Sequence, residues 1–287
     1  MLTNPRSDRV KAVRALGRRA VRVRQRRFLA EGPQAVREAV RHRPDLVEDL
    51  YHVAEAADRH PEVLALAHRA GLSVHPVSAE VMAAMADAQT PQGLVAVCRP
   101  VDVQVTVALT GSPRCVVVLA HVRDPGNAGT VIRAADAAGA DAVLLSSDSV
   151  DVQSPKVVRS TAGSLFHLPI AVGVPLAQLL DAVSGAGLRL LAADGGGQRS
   201  LAEADLSAPH AWVMGNEAWG LSEEVRARCD DVVSVPILGQ AESLNLAMAA
   251  TVCLYASAGV LHSGRAAGTA PAPVDTPGGG DDVGGPR

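Results

Sequence analysis

Between residues 115 and 260 short apolar runs alternate with amphipathic segments. The runs fall at 115–120, 142–146, 168–172, 188–193, 211–215 and 232–237, and the segments between them show helical spacing near 128–138, 154–163, 175–186, 221–229 and 244–260. Near-continuous apolar strands separated by helices specify a parallel sheet covered on both faces. Upstream the pattern is shorter and mixed. Pro33 opens a helix that stops before Pro44, residues 50–53 and 73–77 read as strands, and a helix from Pro61 is closed by Gly71. Ser78 caps a further helix, and the strand at 94–98 completes a small α/β unit. Residues 99–113 form a connector, and from Gly264 the chain is too rich in Gly and Pro to bury a core. The expected division is a basic N-terminal unit over 1–105, an α/β unit over 114–263 and a disordered tail over 264–287.

Length and composition narrow the class. In 287 residues, 48% of them apolar, there is enough material for a sizeable core in one or two domains. Aromatics make up only 2%, so packing rests on Ala, Val and Leu, and rows of base-stacking platforms are excluded. The net charge of −3 conceals an uneven distribution. Residues 1–43 hold thirteen Lys or Arg against three Asp or Glu, and twelve of the thirteen are Arg. Such a cationic arm, with Arg18, Arg19, Arg22, Arg24, Arg26 and Arg27 at its centre, suits phosphate and points to nucleic acid. The four cysteines lie far apart with no CxxC pair, which argues for buried, reduced thiols and against a zinc site or disulfide framework. No apolar segment approaches the roughly twenty residues of a membrane span, so a cytoplasmic protein is expected.

Three strand ends carry polar residues that a core does not need. The run at 115–120 leads into HVRDPGNAGTVIR, the run at 211–215 into GNEAWGL, and the run at 232–237 into LGQAESLN. Ligands in α/β sheets bind beyond the carboxyl ends of strands, so three loaded turns point to one site. The first turn also fits a phosphate cradle at Gly126–Gly129 with Asp148 as a ribose-binding acid, but G-x-G-x-x-G is not spelled and that reading leaves the other turns idle.

Together the turns resemble the three motifs of the SpoU/TrmH branch of the SPOUT RNA methyltransferases. The first, N-x-G-x-x-x-R, is present as Asn127, Gly129 and Arg133; the second as Gly215, Glu217, Gly220 and Leu221; the third as Pro236, Gly239, Ser243, Leu244, Asn245 and Ala249. STAGSLFHLPI at 160–170 is similar to the family as well. The resemblance spans about 115–262, and the basic N-terminal unit looks like the small substrate-binding domain of many members.

The resemblance implies a parallel-sheet SPOUT domain with a C-terminal trefoil knot, a homodimer with the knots at the interface, and S-adenosylmethionine as cofactor. It implies methylation of a ribose 2′-hydroxyl in RNA, with rRNA favoured over tRNA because the two-domain layout resembles rRNA-modifying and antibiotic-resistance members. No metal is needed, because the leaving group departs as a neutral thioether. Gly215, Asn216, Gly220, Val235, Ile237 and Leu244 are the implied cofactor contacts. Arg133 is the implied catalytic group, fixed by Asn127, with Ser243 and Asn245 completing the hydrogen bonding and Glu217 bracing the knot. Because arginine is a poor base, Arg133 is expected to orient the ribose or a phosphate and to stabilise the developing alkoxide. A catalytically silent RNA-binding or ribosome-assembly protein on the same fold is the alternative of a different class.

Overall fold

The two hydrophobic patterns fold into two sheets. The computed structural model describes residues 1–263, and the tail expected to be disordered, 264–287, lies outside them. The N-terminal unit runs α1 (Asp8–Ala15), α2 (Arg19–Gln25), β1 (Phe28–Glu31), α3 (Pro33–His42), β2 (Val47–His52), α4 (Ala54–Arg59), α5 (Pro61–Arg69), β3 (Ser73–Pro76), α6 (Ala79–Met85) and β4 (Leu94–Cys98). Its sheet has the order β1-β4-β2-β3, with only the β2–β3 pair parallel.

The second unit begins with α7 (Val105–Ala108), then β5 (Cys115–Leu119), α8 (Pro125–Ala137), β6 (Ala142–Ser146), α9 (Pro155–Ser160) and β7 (Ile170–Val174). It continues through α10 (Leu176–Gly185), β8 (Arg189–Ala193), β9 (Arg199–Ser200), β10 (His210–Met214), α11 (Glu223–Ala227), β11 (Asp231–Ser234) and α12 (Leu246–Leu261). Seven parallel strands lie in the order β7-β6-β5-β10-β8-β11-β9. Cys115, Val117 and Leu119 of β5 join Trp212 and Met214 of β10 under α8, α9 and α12, while Val116, Val118, Ala211 and Val213 pack on α7 and α10. The expected parallel sheet is therefore present and covered on both faces, with β7, β10 and β11 shifted by one to three residues from the apolar runs.

One reading of the chain changes. The arginine-rich segment is not a free arm, because Val10, Val13, Leu16 and Val21 recur between the cations and bury into the N-terminal core. Within it Arg22 is 4% exposed, pairs with Asp151 at 2.6 Å, and donates to the carbonyls of Leu16 and Gly17 at 2.9 and 2.7 Å. Arg22 is thus a structural tie between the two units and is withdrawn as a surface RNA contact. Helix α12 carries apolar residues on both of its sides. The stripe Leu244, Met248, Val252 and Tyr255 faces outward, with Met248 57% and Tyr255 54% exposed, while Ala247, Ala250, Cys253, Leu254 and Ser257 face the sheet. Inside, Ser257 accepts from Trp212 Nε1 at 2.8 Å and lies 2.7 Å from His210 Nε2, which sets the register of α12 on β10.

The units share a joint rather than a loose linker. Phe28 stacks on Phe166 at 6.1 Å, Arg159 reaches Glu31 and Asp87 at 3.5 and 3.1 Å, and Gln153 donates to Asp102 at 2.5 Å. All four thiols are free, as expected. Burial pushes Cys115 and Cys253 up to about 12 and Cys229 up to about 11, so little thiolate forms at neutral pH. Among the described residues no helix is long and apolar enough to cross a membrane.

Arg22→Ala should cost about 3 kcal/mol, because it leaves Asp151 and two carbonyls without their donor. Removal of Arg27, exposed and paired with Glu48 at 2.5 Å, should cost less than about 1 kcal/mol. Urea unfolding of the two variants measures the contrast.

Candidate active site

Neighbouring strands β5 and β10 lead in opposite directions, β5 toward β6 and β10 across β8 toward β11. Such a divergence opens a crevice at the carboxyl ends of parallel strands. The turns after β5, β10 and β11 are the ones that carry the three motifs.

The β10 turn is the tightest. A Cβ on Gly215 would lie 2.7 Å from the Gly220 carbonyl oxygen, so only glycine lets residues 215 and 220 close on one another. Asn216 and Gly220 exchange backbone hydrogen bonds of 3.2 and 2.8 Å. Gly220 has φ +65°, a conformation glycine adopts without penalty. The Asn216 side chain is buried and committed to the protein, donating to the His121 carbonyl at 2.7 Å and accepting from Ala218 N at 2.8 Å. Its share in any ligand contact therefore falls to its backbone.

Asn127 joins the three turns. Its Nδ2 donates to Glu217 Oε1 at 2.8 Å, and its Oδ1 accepts from Asn245 Nδ2 at 3.0 Å. An ionised carboxylate only accepts, so Glu217 sets the direction of the whole relay and the orientation of both amides. Each asparagine is also anchored to a helix end. Asp124 caps α8 by accepting from Asn127 N at 2.7 Å, and Asn245 caps α12 by accepting from Ala247 N at 2.9 Å. Three of the predicted catalytic residues, Asn127, Glu217 and Asn245, thus meet at one edge of the crevice.

Below that edge lies a cavity of about 600 Å³ whose lining includes Gly215, Asn216, Gly220, Val235, Ile237 and Leu244, together with Glu217 and Ser243. The walls are mixed. Met214, Val235, Ile237, Leu244 and Leu246 offer apolar surface for a flat ring, while Asp194, Glu217 and Glu242 bring three carboxylates against one guanidinium, Arg226. Arg226 pairs with Asp194 at 3.3 Å. The surplus of negative charge suits a cationic ligand, and the volume lies within the range of small-molecule sites.

Arg133 stands apart from this arrangement. It is exposed on α8, six residues beyond Asn127, and has neither a hydrogen bond nor an ion pair among the described residues. The expectation that Asn127 fixes Arg133 is corrected, because both polar atoms of Asn127 are already engaged with Glu217 and Asn245. The phosphate-cradle reading also fails. Residues 126–129 lie inside α8, and a Cβ on Gly129 would meet Ser160 Cβ at 2.8 Å and the Val157 carbonyl at 2.9 Å, so Gly129 serves helix packing.

Sequence reasoning missed Asp194 and Arg226, which sit in segments without a motif and meet only through the fold. It also missed Trp219, 57% exposed in the cavity wall with the Arg123 guanidinium 5.2 Å from its ring centroid. The overall scarcity of aromatics masked this single platform. Of the arm, Arg18, Arg19, Arg24, Arg26 and Arg27 are exposed. Arg19 and Arg26 line a cleft with residues 145–153, the last two of β6 and the turn after it, on the same side of the sheet as the crevice.

Comparison with known proteins agrees with this geometry. The SpoU rRNA Methylase family matches residues 114–255, and the MRM3-like substrate binding domain matches residues 7–96. The 23S rRNA (guanosine-2'-O-)-methyltransferase RlmB of Bordetella pertussis is 33% identical over 79% of this chain and 94% of its own. The 23S rRNA (guanosine(2553)-2'-O)-methyltransferase RlmP of Bacillus subtilis is 32% identical over 88% and 97%. Among solved structures, the AdoMet-bound rRNA methyltransferase from Sinorhizobium meliloti superposes with a TM-score of 0.78 at 30% identity, covering 89% of this chain and 96% of that one. The SpoU methyltransferase AviRb from Streptomyces viridochromogenes with AdoMet also reaches 0.78 at 30% identity, over 91% and 100%.

Gly215→Ala should destabilise the protein by about 2 kcal/mol or more, since the added methyl meets backbone that cannot yield. Gly239→Ala, where a Cβ meets nothing within 4 Å, should change stability by less than about 0.5 kcal/mol. Denaturant titration separates the two.

Proposed function

The chain belongs to the SpoU rRNA Methylase family, and from that premise we propose that it methylates a ribose 2′-hydroxyl of RNA with S-adenosylmethionine, its substrate being ribosomal RNA. The observation that carries the reading is the relay from Asn245 through Asn127 to Glu217 at the rim of an acidic, partly apolar cavity. The cofactor's net positive charge fits the surplus of carboxylates, and its adenine fits the wall of Val235, Ile237, Leu244 and Leu246. Gly215, Asn216 and Gly220 would hold it through backbone groups, as would Val235, Ile237 and Leu244. When bound, the sulfonium supplies a methyl group already activated toward an oxygen nucleophile.

The chain's own residues then have to position that nucleophile, which is the larger part of such a reaction. Glu217, fixed by Asn127, holds the β10 turn against the start of α12 and keeps the cavity rim closed on one side. Ser243 lies in the lining with its hydroxyl available to the ribose or the cofactor. Arg133 is a cation without a partner among the described residues, and a guanidinium offers donors and no acceptor. It is therefore read as orienting the ribose or a flanking phosphate and stabilising the oxyanion, not as a base.

The exposed apolar stripe of α12 supports a homodimer, since a helix that is apolar on all sides is stable when both faces are covered. A second copy seated there would border α8, which packs against α12 and carries Arg133. We further infer that residues 1–105 form the RNA-binding unit, that residues 114–263 form the methyltransferase unit with a knotted C-terminal segment, and that the protein acts in the cytoplasm. The path of the chain supports the knot: from β11 near the far edge, residues 235–245 return across the crevice to α12 on β10 and α8.

Arg133→Ala should bind S-adenosylmethionine normally and lose methylation by at least about a hundredfold. Calorimetry and methyl transfer from labelled cofactor to rRNA read the two quantities, and retained turnover would overturn the role.

RNA recruitment is better tested by point substitution than by truncation, because removing residues 1–27 would strip Val10, Val13 and Leu16 from the core. Replacing Arg18, Arg19, Arg24 and Arg26 with Gln should weaken RNA binding and flatten its log–log salt dependence by about 0.7 for each phosphate that is no longer neutralised. An unchanged salt slope would refute the arm's part.

A further inference from the structure

At the joint between the two units, Glu38 and His42 lie one turn apart near the end of α3, and His167 follows the 3-10 turn Ser164–Phe166 of the second unit. His42 Nε2 is 3.2 Å and His167 Nε2 is 3.1 Å from the same oxygen, Glu38 Oε2, and the three atoms all lie within 4.8 Å of one another. The imidazole centroids are 4.5 Å apart. On its other side His167 Nδ1 is 2.8 Å from Asp136 Oδ2, on α8.

Here we propose a divalent metal site, with zinc(II) the ion its chemistry fits, held by Glu38, His42 and His167 and oriented by Asp136. His167 lies between two carboxylates, and a neutral imidazole has a single N–H. If that proton goes to Asp136, His167 Nε2 presents a lone pair to Glu38 Oε2, which is also an acceptor. A positive charge has to stand between them. A proton on His167 satisfies that one contact, whereas a divalent ion satisfies Glu38, His42 and His167 together with both imidazoles neutral.

The spacing favours the ion. Bonds of about 2.0–2.1 Å in a tetrahedral site place neighbouring donor atoms about 3.3 Å apart, close to the 3.2 and 3.1 Å that separate Glu38 Oε2 from the two imidazole nitrogens. Two imidazoles and a carboxylate form a borderline donor set that selects zinc over magnesium or calcium, with a fourth position left to water. The Asp136–His167 contact supplies the outer carboxylate that fixes the tautomer of a ligating histidine. Glu38 is also held in place, since a Cβ on Gly163, at φ +99°, would meet its Cγ at 2.6 Å.

The ion would staple the N-terminal unit to the second unit through His167, beside Asp136 of α8, which lies about 13 Å along the helix from Asn127, and so set how the N-terminal unit faces the crevice. It takes no part in methyl transfer.

The test uses the full chain, stripped with a chelator and titrated with Zn²⁺ against a chromophoric competitor, with Co²⁺ as a spectroscopic probe of ligand geometry. One ion per chain is expected, with a rise in melting temperature on zinc addition. His42→Ala and His167→Ala should each weaken binding by at least about tenfold and abolish that rise. Asp136→Asn should weaken it about 10–100-fold while leaving the metal-free melting temperature unchanged. His42 is exposed, so its replacement should leave the fold intact. Absence of saturable binding, or binding unaffected by His42→Ala and His167→Ala, would overturn the proposal. A melting temperature that responds to pH but not to zinc would reduce the cluster to a protonated histidine between carboxylates and would likewise overturn it.

Discussion

The site depends on one amide that has to do two opposite things. Asn127 gives its N–H to a carboxylate on the β10 turn and takes an N–H from the residue that caps α12, and no other short side chain offers both a donor and an acceptor in that planar arrangement. Because Glu217 can only accept, the direction of each bond is fixed from one end. Turns that lie 90 and 118 residues from Asn127 are thereby held in one constellation. Gly215 adds the steric half of this constraint by letting the β10 turn fold onto itself. A cavity wall built from segments so remote in sequence persists only if contacts of this kind are kept.

The joint between the units follows a similar logic at larger scale. Arg22, Arg159 and His167 each cross it, and each meets an acidic partner on the other side. Charges that read as an arm for nucleic acid are thus divided in use. Arg22 is desolvated and structural, whereas Arg19 and Arg26 remain at the lip of a cleft near the carboxyl end of β6. Since the carboxyl ends of parallel strands share one side of a sheet, those arginines and the crevice lie on the same side of the molecule.

Helix α12 ties packing to function. Its inner face carries small residues and a buried Ser257 that locks onto β10, and its N-cap is the Asn245 of the relay. Its outer face holds Met248, Val252 and Tyr255 in solvent. The same helix therefore sets the rim of the cavity on one side and presents an exposed apolar face on the other.

Local information in the chain was enough for the parallel α/β sheet and for the residues of the three turns, because strand periodicity and polar residues at strand ends are read within a few positions; that the turns share one site followed from the general rule that parallel strands present their carboxyl ends on one side. It was also enough for free, inert thiols. Tertiary structure alone decided the rest. Arg22 and Arg19 are the same residue type three positions apart, and only the position of Asp151 separates the buried tie from the exposed contact. Which side of α12 meets the sheet was also decided there, because spacing reports that an apolar face exists and not what covers it. Asp194 with Arg226, and Glu38 and His42 with His167, are pairings made by chain crossings, and proximity in space between residues far apart in sequence leaves no periodic trace along the chain.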